Sequence, residues 1–321
     1  MTVMPTSIYK CALVLAVFAM SLAVGSSAAF AADGTSEPIA GIGPTGPVTK
    51  LFGDFQFTEG PASDRQGSVF FSDVRGNKTY KIDPQGKLSV FRDPSNNSNG
   101  LMVNAAGELV ACEMQGRVVA ISADGKTVRP LAETYQGKRF NAPNDLVIDC
   151  QGGIYFTDPH FMAPQPLPQV VSGVYYISPK LEVTRIIDNL QAPNGVILSP
   201  DEKTLYIIPS MQAEMMAYPV ESPGKIGAGR VFCTLEQAKG KTNGGGDGLT
   251  IDTNGNLYIT TALGLQVYDP HGKMLGVISV PEQPANVTFA GPANRTLYVT
   301  ARTSVYTIPM QATGHQFATG K

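Results

Sequence analysis

Histidine is nearly absent from this chain, with three residues in 321: His271 in a Pro-His-Gly turn, His315 near the C-terminus, and His160 beside a β-rich phrase. No Gly-x-Ser-x-Gly pentapeptide occurs. Together these absences argue against a Ser-His-Asp hydrolase and against zinc held by imidazoles. Cysteine is scarce as well: beyond Cys11 there are only Cys112, Cys150 and Cys233. That odd number allows one disulfide at most, and the spacing is not that of a zinc site, so the thiols read as small hydrophobes. Charged residues make up 16% of the chain, the net charge is −2, and Lys and Arg are scattered. Without a basic stripe there is no footprint for nucleic acid, and small neutral or mildly anionic partners fit better.

Long apolar runs are missing too, apart from residues 11–24. That run is shorter than the ~20 residues that cross a bilayer, so no membrane span is expected. With Lys10 before it and Ala29-Phe30-Ala31 after it, the run has the layout of a signal peptide over 1–31, giving a mature protein that begins near Ala32. Cys11 lies far from that cleavage site and does not read as a lipid attachment cysteine. Export in soluble form, to the periplasm or beyond the cell, follows as the expectation.

What the chain does have is a repeat. An oxygen-bearing residue opens a turn-and-strand phrase at Glu59-Gly60-Pro61, Asn99-Gly100-Leu101, Asn144-Asp145-Leu146, Asn194-Gly195-Val196, Asp247-Gly248-Leu249 and Asn286-Val287, 39 to 53 residues apart. β-rich phrases such as Val69–Asp73, Ile154–Asp158 and Leu257–Thr261 follow about a dozen residues later in most copies. Turn chemistry every 8–10 residues in the first copy gives four short strands, and helical periodicity is absent from the mature chain. Units of this size predict an all-β fold, a six-bladed β-propeller whose first strands line a central channel. The last repeat is one strand short. Val48–Phe52 can supply it, closing the ring with an N-terminal strand in the last blade. The domain then spans 48–310, with a surface leader over 32–47, dispensable to the fold, and a tail over 311–321.

The six markers converge on one axis. Glycine after Asn or Asp is by itself a turn dipeptide, but six copies in phase, with Glu59 before Gly-Pro and Pro before Asn144 and Asn194, exceed what turns require. Two carboxylates and several amides make a hard-oxygen set that suits one divalent ion: Ca²⁺ first, with Mg²⁺, Mn²⁺ or Zn²⁺ as other occupants. Left alone, the two carboxylates would repel and one would hold a proton.

Thr58–Pro61, Arg139–Leu146, Tyr155–Pro159, Ala192–Gly195 and Gly246–Leu249, taken in order, resemble the SMP-30/gluconolactonase/luciferin-regenerating enzyme family over roughly residues 50–309. The resemblance implies a six-bladed propeller with a divalent metal, usually Ca²⁺, near the channel top. It places Glu59, Asn194 and Asp247 at the metal, with Asn144 a ligand or a substrate contact. Phe161 departs from the Pro-Tyr or similar pair that relatives often carry after this position.

Such a site would polarise a carbonyl or phosphoryl oxygen and stabilise the oxyanion formed when water attacks. Ca²⁺ acidifies water weakly, so a base is needed, and Asp247 is the best candidate, as the resemblance also implies. Asn99, Asn144, Glu113, Asp158 and His160 are candidates for holding substrate. Glu113, Asp158 and Asp73 each fall 14 residues after their marker; the other reading of these carboxylates is a strand-end group bonding backbone amides. Arg139 reads as a loop brace. The leading expectation is a lactonase of the gluconolactonase type acting on a small molecule, as monomer or dimer. Phosphotriester or aryl-ester hydrolysis on the same site, and a non-catalytic propeller that binds a sugar or protein, remain the alternatives.

Overall fold

Asp-x-x-Gly recurs at Asp64, Asp83, Asp149, Asp252 and Asp269, and each copy is a hairpin turn in the computed structural model, which describes residues 1–2 and 37–317. The Asp Oδ1 accepts the amides two and four residues on, at 2.7–3.0 Å. The glycine three residues on adopts a positive φ, a conformation that a side chain would strain. This one device closes five of the hairpins. Residues 3–36, which hold the expected apolar run and cleavage site, lie outside the described residues. No helix among the described residues is long and apolar enough to cross a membrane.

Apart from a separate two-stranded ribbon in which Thr134–Tyr135 pairs with Lys138–Arg139, the strands form six sheets of four or five strands around one axis, as a six-bladed propeller. Their inner strands are Thr58–Ser63, Ser98–Val103, Leu146–Ile148, Pro193–Leu198, Leu249–Ile251 and Pro284–Ala290. In the sixth blade the outer strand is Thr49–Phe52, which pairs antiparallel with Ser304–Pro309, Lys50 opposite Tyr306. The ring is thus closed by joining the two ends of the chain, and its edge is paired. Phe55 sits edge-on to Phe71 at 5.1 Å and packs with Val305 and Ala290, sealing the seam between the first and sixth blades.

All six blade junctions carry a hydrogen bond near the axis. Ser72 Oγ donates to Asn99 O (2.8 Å), Gly100 N to Asn144 O (2.7 Å) and Thr157 Oγ1 to Asn194 O (2.8 Å). Gly195 N donates to Asp247 O (3.0 Å), Gly248 N to Ala285 O (2.8 Å) and Thr58 Oγ1 to Ser304 O (2.9 Å). Each contributes about 1 kcal/mol, but more to the point, each fixes one marker against the next blade.

The two ends beyond the blades are tied in. Ile42, in the stretch expected as a surface leader, is buried with the core of the fifth and sixth blades, and its carbonyl accepts Gln311 N and Ala312 N, both at 3.0 Å. From there the tail continues as an ordered strap: Gly314 bridges Asp252 and His315 N donates to Ile251 O at 2.9 Å. The described part of the leader, residues 37–47, is therefore part of the fold, because a buried isoleucine and a doubly used carbonyl are structural contacts. A chain starting at residue 45 should lose about 2–4 kcal/mol relative to one starting at 37. That corresponds to a Tm lower by roughly 5–15 °C in thermal unfolding; equal melting of the two chains would show the leader to be passive. Cys112 and Cys233 are buried and Cys150 is exposed, all three as free thiols.

Candidate metal centre and active site

Four of the six inner strands are irregular where the marker lies. The pairing register slips between Glu59 and Ala62, Ser98 and Leu101, Pro193 and Val196, and Pro284 and Asn286. Such bulges re-aim side chains, and here they turn the markers toward the axis. The glycine after the marker is explained by the neighbouring blade. A Cβ on Gly60, whose φ is 44°, would stand 2.0 Å from Asn99 O, and one on Gly248 would stand 2.1 Å from the Asn286 side chain. These glycines are therefore not hairpin turns; they let one blade's marker abut the next.

Glu59, Asn99, Asn144, Asn194 and Asp247 all line one cavity of about 570 Å³. Its upper wall is largely apolar, with Phe57, Met114, Phe161, Met162 and Leu235. Asn194 spends its amide nitrogen on Asp247 Oδ1 (2.7 Å) and Ser210 Oγ (2.9 Å), which leaves its carbonyl oxygen as the group available to a ligand. Ser210 in turn donates to Gly246 O at 3.1 Å, so the 194–247 pair is held from both sides. Glu59 Oε2 accepts Gly60 N at 3.1 Å.

Burial, then the charge of Asp247, raises the Glu59 pKa well above the usual carboxylate range. Burial raises Asp247 as well, against the hydrogen bond from Asn194 and the charge of Arg302. A third carboxylate, Asp145, lies just below and is pushed up to about 7, chiefly by burial. Among the described residues no three His, Cys, Asp or Glu side chains form a metal cluster of their own. The oxygen set is instead two carboxylates completed by amides. Crowded carboxylates whose ionised forms are penalised, with amide oxygens beside them, fit a divalent cation that takes oxygen ligands.

Other sequence candidates lie elsewhere. Glu113 is fully buried, clasped by Arg117, by Arg92 (2.6 Å) and by Asn96 Nδ2 (3.1 Å). Asp158 accepts Asn141 N (2.8 Å) and Ala142 N (2.7 Å), and Asp73 accepts Phe57 N (2.9 Å). Asp73 and Asp158 are struts of the loops that carry Phe57 and Asn144, Glu113 anchors the segment before Asn99, and none of the three lines the cavity. His160 is exposed, with Nδ1 3.4 Å from Ser172 Oγ, and packs on Phe161, whose ring does line the cavity. Asn286 lies deeper than the other markers; its Oδ1 accepts Val287 N (2.8 Å), its amide group hydrogen-bonds Glu59 and Asp145, and it lines a second, smaller axial cavity. Arg139 braces its loop, as expected, through Phe140 O (2.9 Å) and Asn141 O (3.0 Å).

Two residues beside the markers were missed by sequence reasoning. Asp145 occupies the place that glycine holds in four other copies, and that exception was its signal. Ser210 follows a strand, Thr204–Pro209, with no marker of its own, and nothing in the sequence singles it out.

A closed propeller whose axial cavity holds buried carboxylates and amide oxygens at equivalent blade positions defines a protein built around one polar centre on its axis. The chain belongs to the SMP-30/Gluconolactonase/LRE-like family, whose model matches residues 57–303. It is 29% identical to a gluconolactonase of Zymomonas mobilis over 293 residues, covering 84% of this chain and 82% of that protein. It is 29% identical to lactonase drp35 of Staphylococcus aureus over 240 residues, covering 70% of this chain and 69% of that one. The solved gluconolactonase of Xanthomonas campestris superposes with a TM-score of 0.75 at 30% identity, covering 82% of this chain and 89% of that one.

Proposed function

We propose that this protein is a divalent-metal-dependent hydrolase that opens a sugar lactone. The observation that carries the reading is the gathering of Glu59, Asn144, Asn194 and Asp247 on one buried cavity wall, with carboxylates that lack sufficient compensating charge. The gluconolactonase and lactonase names of the relatives support the ester-hydrolase class. A divalent cation, Ca²⁺ by the all-oxygen donor set, would be held by these four residues and would polarise the lactone carbonyl as a Lewis acid.

The remaining chemistry falls to the chain itself. Asp247 Oδ1 accepts Asn194 and keeps a lone pair that would face the cation, which would leave Oδ2 to take the proton from an attacking water. Asn99 and Asn144 present amide groups to the substrate hydroxyls, and Phe57, Phe161 and Met162 limit the entry of bulk water. Opening a tethered, strained ester asks little more than this. Export through cleavage near Ala32 belongs to the same proposal and rests on the N-terminal sequence alone; N-terminal sequencing of the mature protein tests it.

The discriminating experiment is turnover of gluconolactone, an aryl ester and a phosphotriester before and after removal of metal by chelation, with calcium added back. Lactone opening that falls at least ~10-fold on chelation and returns with calcium is expected. Faster phosphotriester hydrolysis would move the assignment to that class, and metal retained without turnover of any substrate would make the propeller a binding protein.

A further inference from the structure

The cavity floor is acidic, but one side of its mouth is basic. Phe57 lines the cavity and has two guanidinium groups over its ring, Arg75 at 5.4 Å and Arg302 at 6.0 Å from the centroid. Four other arginines, Arg92, Arg117, Arg129 and Arg185, pair with carboxylates, while Arg139, Arg230 and Arg295 bond carbonyl or hydroxyl oxygens away from the cavity. Arg75 and Arg302 form no ion pair among the described residues. Arg302 is held by Gln283 Oε1 (2.5 Å), itself a cavity residue, and Arg75 lines the mouth directly.

Two like charges gathered around one aromatic ring, 5.4 and 6.0 Å from its centroid, repel each other. The arrangement is stabilised when an anion binds beside them, and a planar guanidinium is the group suited to carboxylate or phosphate oxygens. The acidic floor cannot serve that anion, so the two ends of the cavity sort a ligand by polarity. We propose that the substrate carries an anionic group, a carboxylate or a phosphate, remote from its lactone carbonyl, and that Arg75 with Arg302 receives it at the Phe57 side of the mouth. This rests on the lactone-hydrolase reading for the identity of the reacting end, though not for the anion site itself.

The test compares a neutral lactone (gluconolactone), a carboxylate-bearing one (glucarolactone) and a phosphate-bearing one (6-phosphogluconolactone) on the wild type, Arg75→Met and Arg75→Lys. Arg75 is exposed, so the folded state should be unaffected, and unchanged melting checks this. Arg75→Met should raise KM for the preferred anionic lactone roughly 10- to 100-fold, the effect of a charge-assisted contact, with kcat and the neutral lactone nearly unchanged. Arg75→Lys should recover part of the loss. Which anionic lactone responds tells carboxylate from phosphate. An equal effect on neutral and anionic lactones, or no effect on either, overturns the proposal. In parallel, calorimetric binding of glucarate and 6-phosphogluconate against gluconate needs no turnover. A preference for a dianion that Arg75→Met removes, in a protein that opens no lactone, upholds the anion site and refutes the lactonase reading; no preference overturns the site whatever the activity.

Discussion

Asp247→Asn is expected to lower lactone turnover by roughly 10²–10⁴-fold even at calcium concentrations that restore metal occupancy, the range for loss of a general base. The asparagine is nearly isosteric and can accept the 2.7 Å hydrogen bond from Asn194 through its carbonyl oxygen, so the pair's geometry survives while the proton acceptor is lost. The measurement must separate the two roles of the residue, so calcium affinity is determined for the same variant and turnover is taken at saturation. His160→Ala is the control. Its ring is exposed and outside the cavity wall, so activity should change by less than about 2-fold. Should His160→Ala abolish turnover while Asp247→Asn stays active at saturating calcium, the proton acceptor is His160.

The second large effect concerns stability and pH. Folding raises the pKa values of Glu59, Asp247 and Asp145, so the folded chain without metal binds more protons than the unfolded one between about pH 4 and pH 7. Stability from these groups is fully present below the unfolded carboxylate pKa and is lost as pH rises through the folded values. Chelated protein should therefore melt at a lower temperature at pH 7.5 than at pH 5. Added calcium should raise Tm most at the higher pH, where the carboxylates are ionised and free to bind it. Glu59→Gln removes one of the buried charges, so it should flatten the pH dependence of the chelated protein and weaken calcium by at least ~10²-fold. A chelated protein whose Tm is the same at both pH values, or calcium affinity unchanged in Glu59→Gln, would refute the placement of the metal.

Much of the architecture was legible because a propeller writes its geometry into a period. The Asp-x-x-Gly turns, the missing strand of the last repeat and the six markers all follow from local rules repeated in phase, and five markers do meet at one cavity. The errors came from counting along a strand without knowing its register. Asp73 and Glu113 fall 14 residues after their markers, yet the bulges at those markers shift the pairing, so that Glu59 faces Ser72, while Asp73 faces Thr58 and Glu113 faces Ser98. Side chains on a strand alternate between faces, and a slip of one residue sends the carboxylate to the far side. Asp158 takes the other reading of these carboxylates: at the end of its strand it accepts the amides of Asn141 and Ala142, in a loop 17 and 16 residues earlier. The basic cluster over Phe57 was illegible for a plainer reason, since Arg75 and Arg302 lie in the first and last blades and meet only when the circle closes.

The closure itself has a consequence for how the protein comes into being. Thr58 and Ser304, 246 residues apart, share the hydrogen bond that joins the first blade to the last, and Glu59 stands next to that seam. Contacts of such separation form late, because the intervening chain must first be ordered. A nascent polypeptide can assemble its middle blades while its two ends are still apart, but the proposed cation site would be incomplete at that stage. On the proposed reading the ion would therefore not template the early steps of folding; it would lock a circle that the polypeptide has already drawn.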